Sequence, residues 1–278
     1  MIELYDKVSK KAGKMITNAY STSFSLGIYC LDRKYHEGIY AIYGFVRVAD
    51  EIVDTFHGYP KADLLDEFER DTFQAIERKI STNPTLHAFQ WAVNTYNIDH
   101  ENIRAFLKSM RMDLTQNDHD LASYEDYILG SAEVVGLMCL RVFLDGDDKR
   151  YHELKESAMK LGSAFQKINF LRDLHADYYQ LGRVYFPGVD MNEFNAETKK
   201  AIEADIDIDF KAGFEGIKQL PRGVRFGVYV AYVYYYALFQ RIRGLEPSVI
   251  LEQRVRIPNR KKYRLLLSSY FRHSFNIL

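Results

Sequence analysis

Residues 162–187 read GSAFQKINFLRDLHADYYQLGRVYFP, and this segment decides how the rest of the chain is interpreted. On a helix, at about 100° per residue, Gln166, Asn169, Asp173 and Asp177 fall within an arc of roughly 80°. Apolar side chains such as Phe170 stand on both sides of that arc, which is typical of a largely buried helix. The segment therefore predicts a buried helix with one narrow polar stripe.

Residues 39–56 read IYAIYGFVRVADEIVDTF and show a similar pattern. Apart from one arginine and three acidic residues, nearly every side chain is apolar or aromatic, which again indicates a buried helix. Arg47, Asp50 and Asp54 fall within roughly 60° of one another at helical spacing. Tyr43 lies one turn before Arg47 and points the same way. The alternative is a solvated stripe in which Arg47 is the surface partner of the two aspartates.

The chemistry of these two segments favours a site for metal ions and a phosphate group. Two carboxylates one turn apart repel each other, and burying them unpaired is costly, whereas a bound dication removes both penalties. Asn and Gln can add carbonyl ligands, and Arg172 and Arg183 offer forked donors for phosphate oxygens. Two acidic helices facing one cavity would suit a diphosphate, whose charge must be neutralised when it leaves. For residues 162–187 the alternative is an ordinary polar helix face.

The remainder of the chain also has helical periodicity. The predicted helices are at about 3–20, 35–56, 61–81, 84–95, 99–117, 123–144, 148–180, 194–217, 221–244 and 260–275. Asn83-Pro84, Leu220-Pro221 and Glu246-Pro247 mark breaks, because proline cannot continue a helix from inside. No linker, repeat or low-complexity tract interrupts the chain. The sequence therefore predicts an all-α helical bundle with a single domain over residues 1–278.

The composition narrows the classes of function. The 278 residues hold 37 Lys and Arg against 38 Asp and Glu, a balance that does not favour nucleic acid as a partner. Cys30 and Cys139 lie in apolar runs without metal-ligand spacing, as buried thiols of a reducing cytoplasm do. The longest apolar run, residues 226–240, is shorter than the roughly 18–20 residues of a membrane span. We expect a cytoplasmic protein, able to lie against the inner face of a membrane.

Three motifs, in this order, resemble those of the phytoene and squalene synthases. SxSF is Ser21-Thr22-Ser23-Phe24, and RxxDxxxD is formed by Arg47, Asp50 and Asp54. The long motif QxxNxxRDxxxDxxxxGRxYxP is matched by Gln166, Asn169, Arg172, Asp173, Asp177, Gly182, Arg183, Tyr185 and Pro187. The motifs are spread over most of the chain. The sequence is identified as a member of this family, most similar to the bacterial phytoene synthases.

The resemblance implies an isoprenoid-synthase fold with a central hydrophobic cavity, and a role in carotenoid biosynthesis. It implies head-to-head condensation of two prenyl diphosphates, with Mg²⁺ as the cofactor and Mn²⁺ as a substitute. One substrate ionises, and the double bond of the second attacks the allylic cation to give a cyclopropylcarbinyl diphosphate. A second ionisation, rearrangement and loss of a proton give phytoene, whereas hydride capture from NADPH gives squalene.

The resemblance also assigns roles to matching positions. The implied metal ligands are Asp50, Asp54, Asn169, Asp173 and Asp177. The implied catalytic residues are Asp50, Asp54, Asp173, Asp177, Tyr43 and Arg47. The substrate-binding residues are expected to be Ser21, Ser23, Phe24, Arg47, Tyr127, Gln166, Asn169, Arg172, Arg183, Tyr235 and Arg254. The SxSF residues would form a flap over the first substrate.

The sequence departs from the family pattern at two places. Many relatives read YxYxVAGxVG where residues 127–136 read YILGSAEVVG, so Leu129 replaces the second tyrosine and Glu133 a glycine. Tyr127 and Gly136 remain. Relatives also often have a histidine just before SxSF, where this chain has Tyr20.

Several alternatives remain open from the sequence. No glycine-rich dinucleotide motif follows a strand, and no anchoring C-terminal helix like that of eukaryotic squalene synthases is present, which favours phytoene and argues against NADPH. Squalene or dehydrosqualene formation from farnesyl diphosphate is the enzymatic alternative. A non-catalytic assembly or binding protein of the same fold is the other. A prenyl elongase or terpene cyclase is disfavoured because those enzymes usually carry DDxxD motifs.

The basic segment 254–264 has three interpretations. It could contact diphosphate, with Arg254 and the Tyr234–Tyr236 cluster near the cavity mouth. It could lie on anionic lipid, because basic segments are attracted to such surfaces. It could also be a solvated helix start. The oligomeric state does not follow from the sequence.

Overall fold

The computed structural model describes residues 2–116, 118–179, 182–190 and 193–274, apart from the side chains of Thr22, Ser23 and Asn259. These residues form no β-strand, only an isolated bridge between Asp118 and Val184. The helices are α1 (Ile2–Tyr20), α2 (Thr22–Tyr29), α3 (Arg33–Asp54), α4 (Lys61–Arg78), α5 (Pro84–Tyr96), α6 (His100–Thr115), α7 (Leu121–Ile128), α8 (Val134–Phe143), α9 (Asp148–Tyr179), α10 (Ala196–Gln219), α11 (Arg222–Arg243), α12 (Pro247–Glu252) and α13 (Asn259–Ser274). The predicted all-α class is confirmed.

Local chemistry explains most of the helix boundaries. Asn83 caps α5 by accepting hydrogen bonds from the amides of Thr85 (3.0 Å) and Leu86 (3.4 Å), and Pro84 takes the first helical position. Pro221 directly precedes α11. The predicted breaks at these prolines therefore agree with the structure.

The structure differs from the predicted helices at three places. Two helices, α2 and α12, were not predicted, because segments of 8 and 6 residues are too short to display a period. The predicted helix at 123–144 is α7 and α8, joined by a π-helical turn, Leu129–Glu133. Gly130 in this turn packs on α6, where a Cβ would lie 2.3 Å from the Ala105 carbonyl oxygen. The π-helical turn thus depends on a glycine that a periodicity pattern does not reveal.

Helix α3 runs through the first of two apolar clusters, which includes residues of α2 to α6 and α8. Phe45 is fully buried and stacks on Phe89, with ring centroids 3.9 Å apart, and on Phe68 at 5.4 Å. Burying a side chain of this size contributes about 1.5–3 kcal/mol. The apolar face of α3 is therefore fixed in the core, and the stripe with Arg47 and Asp50 faces the interior space beyond it.

The second apolar cluster forms where α9, α10 and α11 meet. Phe210 is fully buried against Phe239, at a centroid distance of 5.5 Å. Gly216 lets α10 approach α9 closely, since a Cβ there would lie 2.5 Å from the Cβ of Ser157. Residues of both clusters line one cavity. Among the helices described, none is both long and apolar enough to cross a membrane.

Candidate active site

A cavity of about 750 Å³ lies between the two apolar clusters. Ile39 and Asp54 both line it, and they stand about 22 Å apart along α3, so the cavity is long. Leu140 and Leu154 line its apolar part, whereas carboxylates and arginines of α3, α6 and α9 line its charged part. The side chains of Asp54 and Arg254 are 44% and 48% exposed, so the charged part is open to solvent. This shape suits a ligand with a long apolar tail and an anionic head.

The first aspartate pair, on α3, lines the charged part of the cavity. The Asp50 carboxylate lies 3.8 Å from Arg47 Nη1, and its side chain is 30% exposed. Arg47 also forms an ion pair with Glu51, and its guanidinium lies 4.4 Å from the centroid of the Tyr20 ring. Tyr20, which replaces the histidine of many relatives, therefore packs on Arg47. The pair is not a purely solvated stripe, because both aspartates line the cavity.

The second aspartate pair, on α9, faces the same space and is paired differently. Arg172 Nη2 lies 2.5 Å from Asp173 Oδ2, and Arg254 Nε lies 2.6 Å from Asp173 Oδ1. Asp173 is thus held by two guanidinium groups. The pKa of Asp177, one turn later, is raised first by burial and further by the charges of Asp173 and Asp54, whereas Arg183 lowers it.

Arg183 joins the two pairs. Its Nη1 donates a hydrogen bond to Asp54 Oδ1 at 3.3 Å, and its Nη2 donates to the main-chain oxygen of Asp113 at 2.8 Å. Its backbone amide donates to the Asp177 carbonyl at 2.8 Å. The loop after α9 therefore places one guanidinium where the α3 and α9 carboxylates meet.

Asp113 of α6 is a cavity residue that the sequence analysis missed. Its side chain is only 6% exposed. It accepts hydrogen bonds from the hydroxyls of Tyr127 (2.9 Å) and Tyr185 (3.4 Å), and it lies 3.7 Å from Arg183. One signal was available, because Asp113 shares a helix face with the buried Met110, where an acidic residue is unexpected.

Three carboxyl groups at this site have strongly raised pKa values. The pKa of Asp50, Asp113 and Asp177 is raised to about 7 in each case, first by burial. Repulsion from neighbouring aspartates adds to the shift: Asp54 acts on all three. Arginines act in the opposite direction but do not compensate. The site therefore holds more negative charge than its own cations neutralise.

This donor set fits Mg²⁺ only together with a further ligand. Among the described residues, no three His, Cys, Asp or Glu side chains are grouped closely enough to hold an ion by themselves. Mg²⁺ in proteins is typically bound by one or two carboxylates and by phosphate oxygens of the substrate. The two aspartate pairs, which line the same cavity, match that second arrangement.

Amide and aromatic side chains line the wall between the two pairs. Asn169 Nδ2 donates to Gln166 Oε1, and the Tyr235 hydroxyl donates to Asn169 Oδ1, both at 3.3 Å. The Tyr235 ring stacks on Phe165, with centroids 4.0 Å apart. These two hydrogen bonds, to Gln166 and from Tyr235, fix the orientation of the Asn169 side-chain amide.

Ser21 and Phe24 of the SxSF motif also line the cavity. Ser21 caps α2 by accepting a hydrogen bond from the Phe24 amide at 3.2 Å. The Phe24 ring stacks on Tyr43, with centroids 4.9 Å apart. Burial raises the pKa of Tyr43, so its hydroxyl stays protonated at neutral pH.

The structure brings nearly all of the predicted site residues to this one cavity. Those that line it are Ser21, Phe24, Tyr43, Arg47, Asp50, Asp54, Tyr127, Gln166, Asn169, Arg172, Asp173, Asp177, Arg183, Tyr235 and Arg254. The side chain of Ser23 lies outside the described residues. The roles assigned to these residues stay predictions, since position alone does not test them.

Sequence comparison places the chain among known synthases. Residues 17–261 match the family model for squalene/phytoene synthase. The chain is 26% identical to a phytoene synthase of Arthrospira platensis over 91% of its own length and 89% of that protein. It is 28% identical to a 4,4'-diapophytoene synthase of Staphylococcus haemolyticus over 68% of its own length and 66% of the relative.

The fold is also similar to that of solved structures. One is a dehydrosqualene synthase in complex with ligand, whose chain superimposes with a TM-score of 0.82 at 22% identity, covering 97% of each chain. At 22% identity, this structural similarity supports the fold alone.

Proposed function

The chain belongs to the squalene/phytoene synthase family of prenyltransferase-type enzymes, and we propose that it condenses two geranylgeranyl diphosphates head to head to form phytoene. The observation that carries this proposal is the pairing of two aspartate helices at the charged part of a long apolar cavity. A substrate with a diphosphate head and an isoprenoid tail matches both parts. The similarity to a phytoene synthase over 91% of the chain supports the choice of product.

In the proposed reaction, the charged groups bind the head of each substrate. Arg47, Arg172, Arg183 and Arg254 would donate to diphosphate oxygens, exchanging their present carboxylate partners for the substrate. Mg²⁺, held by Asp50, Asp54, Asn169, Asp173 and Asp177 together with the diphosphate, would neutralise the charge that develops on the leaving group. The carboxyl groups would release any bound protons when the cation binds.

The apolar part of the cavity would protect the reactive carbon. The C–O bond of the first substrate breaks with both electrons departing on diphosphate, and the double bond of the second substrate attacks the allylic cation. Loss of a proton closes a cyclopropylcarbinyl diphosphate. A second ionisation, rearrangement and proton loss give phytoene. The ring faces of Phe24, Tyr43, Phe165 and Tyr235 would stabilise the cation and keep water from it.

The second candidate is a C30 condensation that uses farnesyl diphosphate. Similarity to a 4,4'-diapophytoene synthase favours it, since that relative is named for a C30 product. The two candidates share the charged site and differ only in the length of tail that the apolar part accepts.

The test is incubation of the purified protein with geranylgeranyl or farnesyl diphosphate and Mg²⁺, with and without NADPH, followed by mass analysis of extracted hydrocarbons. Phytoene formed without NADPH supports the proposal. A C30 hydrocarbon from farnesyl diphosphate alone moves the assignment to the second candidate, and a requirement for NADPH then identifies squalene. Failure of both substrates with a folded protein contradicts both candidates.

A further inference from the structure

Helix α13 presents an apolar face to solvent. Tyr263, Leu267, Tyr270 and Phe271 are 71%, 58%, 54% and 51% exposed. Their spacing places them within an arc of about 100° on one side of the helix. Ser269, on the other side, is buried. A contiguous exposed face of this kind marks a surface that interacts with something apolar.

The rest of α13 is fixed to α11, so the exposed face is a stable feature of the fold. The Tyr234 hydroxyl donates a hydrogen bond to the Lys262 carbonyl oxygen at 2.9 Å. The Phe226 ring packs edge-on against Tyr270, with centroids 5.9 Å apart, and against His273 at 5.2 Å. Tyr270 therefore takes part in packing, whereas Leu267 and Phe271 are better positions for substitution.

The charges beside the apolar face have one sign. Residues 253–278 contain seven Lys and Arg and no Asp or Glu, in a chain whose net charge is −1. Arg260, Lys261 and Arg264 are exposed. At helical spacing Arg260 falls inside one edge of the apolar arc, and Arg264 and Lys261 lie about 20° and 80° beyond that edge. An apolar arc of tyrosine, leucine and phenylalanine flanked by basic side chains is the pattern of a helix that lies in a membrane interface.

We propose that α13 docks the protein on an anionic lipid bilayer, with Leu267 and Phe271 among the headgroups and Arg260, Lys261 and Arg264 on the lipid phosphates. A second copy of the chain fits this surface poorly, because a symmetric contact would bring the same positive charges together. Nucleic acid would be attracted by the positive charge, but its phosphate backbone offers no apolar surface against which Leu267 could be buried. Anionic lipid satisfies both the charge and the apolar face.

The surface adjoins the cavity. Tyr29, at the end of α2, is 76% exposed, and Tyr234 interacts electrostatically with both Cys30 and Tyr263. Gly27 and Leu31 line the cavity from the same segment. The docking surface stands on α13 alone, whereas its use for taking up and releasing lipids rests on the proposed function.

The direct test is sedimentation of the full-length protein with vesicles of phosphatidylcholine, with and without about 30% phosphatidylserine. We expect binding to the anionic vesicles, little binding to the neutral ones, and release by high salt. Leu267→Ser with Phe271→Ser should weaken partitioning about tenfold or more. The triple variant Arg260→Gln, Lys261→Gln, Arg264→Gln should weaken it about tenfold to a hundredfold.

Two matched control variants separate this surface from general effects. Leu121→Ser with Ile208→Ser removes two equally exposed apolar side chains, which are 64% and 62% exposed on other helices. Lys11→Gln, Lys155→Gln and Lys200→Gln together remove three exposed charges elsewhere. Both controls should bind vesicles like the wild type. Circular dichroism and melting temperature confirm that every variant is folded.

Several results would overturn the proposal: no binding to anionic vesicles by the folded wild type, equal binding to neutral vesicles, or equal losses in the controls. A concentration-dependent dimer that Leu267→Ser with Phe271→Ser abolishes, without vesicle binding, would make the face a contact between copies. Binding of duplex DNA without vesicle binding would make it a nucleic-acid surface. Product formation in detergent is measured separately, so failure of docking and failure of the proposed function are distinguishable.

Discussion

Carboxylates lie beside α9 in two regions of this molecule, and the two regions differ in how far neighbouring cations neutralise them. Between α9 and α10, Asp209 is 1% exposed, and it is contacted by Lys167 Nζ (2.7 Å), Lys160 Nζ (3.1 Å) and the Ser163 hydroxyl (2.7 Å). Lys167 also pairs with Asp205, at 2.5 Å. In this cluster, which we call the α9–α10 cluster, two lysines neutralise one buried carboxylate, Asp209, and one of them also pairs with the exposed Asp205.

Two of the cavity carboxylates, Asp50 and Asp177, lack such compensation. Asp50 has one guanidinium at 3.8 Å, which it shares with Glu51, and Asp177 faces two other aspartates. The pKa of both groups is raised to about 7, first by burial. A buried carboxylate that pairs with a lysine of the same chain has a structural role. Carboxylates that the chain's own cations do not neutralise indicate that a cation binds there from solution. The comparison separates structural acidic residues, which lie on α10, from functional ones, which lie on α3 and α9.

The largest expected effect separates the two regions by activity. Asp50→Asn or Asp177→Asn should lower turnover about 10³-fold. Each removes a carboxylate ligand of the Mg²⁺ that would neutralise the charge on the leaving diphosphate. In the absence of metal, the same variants should be more stable by about 1 kcal/mol, since Asp50 is still 30% exposed and water screens part of the repulsion. Product formation and thermal melting in chelator are the measurements.

Asp205→Asn is the matched control, because Asp205 is the exposed member of the α9–α10 cluster. It should keep normal turnover. If Asp50→Asn retained full activity, or if the metal-free Asp50 variant were markedly less stable than the wild type, the distinction between the two regions would fail.

The second effect concerns stability. Asp209→Asn should destabilise the protein by about 3 kcal/mol, because it removes the buried partner of Lys167, whose charge is itself buried. The melting temperature should then fall by about 5–10 °C. Ser163→Ala removes only one hydrogen bond to the same carboxylate and should cost about 1 kcal/mol. Equal losses from both substitutions would show that charge is not what stabilises this cluster.

A smaller effect is expected at Asp113, which belongs to the cavity but touches Arg183 and two tyrosines rather than the pairs directly. Asp113→Asn keeps an acceptor for the tyrosines and weakens the placement of Arg183 against Asp54. We expect about a tenfold loss in kcat/KM, carried by KM for the diphosphate substrate. A loss as large as that at Asp50 would instead place Asp113 among the groups that hold the cation.

The smallest effect is a dependence of stability on pH. The raised pKa values mean that the folded protein binds protons that the unfolded chain releases between about pH 4 and 7. The free energy of unfolding of the metal-free protein should therefore rise as pH falls from 8.5 to about 6.5, and this gain is lost as pH rises through 7. The double variant Asp50→Asn, Asp177→Asn should lack this part of the slope.

The comparison is made on melting temperatures in chelator at the two pH values, and a difference of about 2–4 °C between the wild type and the double variant is expected. Identical slopes would contradict the raised pKa values. Mg²⁺ affinity should fall as the pH is lowered from 8.5 to about 6.5, because protons and the metal compete for the carboxylates.

The sequence by itself determined the helical class, because its periodicity predicts helices throughout and, in residues 39–56 and 162–187, places polar groups on buried faces. The family, and the cavity residues outside those two segments, followed from the resemblance of its motifs. It did not single out Asp113, whose partners come from two other segments: Tyr127 from α7, and Arg183 and Tyr185 from the loop after α9. Nor could it tell that Lys160 and Lys167 compensate Asp209, or that Glu133 is close to that cluster. Burial is the main cause that raises the pKa of Glu133, while Lys160 lowers it and Asp209 raises it further.

Those facts belong to the tertiary structure for a physical reason. Helical spacing fixes which side chains of one segment share a face, but the charge balance of a buried carboxylate depends on side chains that only packing brings near it. The two aspartate motifs could therefore be recognised from the sequence alone. Which aspartates have an arginine, which have a raised pKa and which helix leaves an apolar face in solvent were decided by how the helices pack.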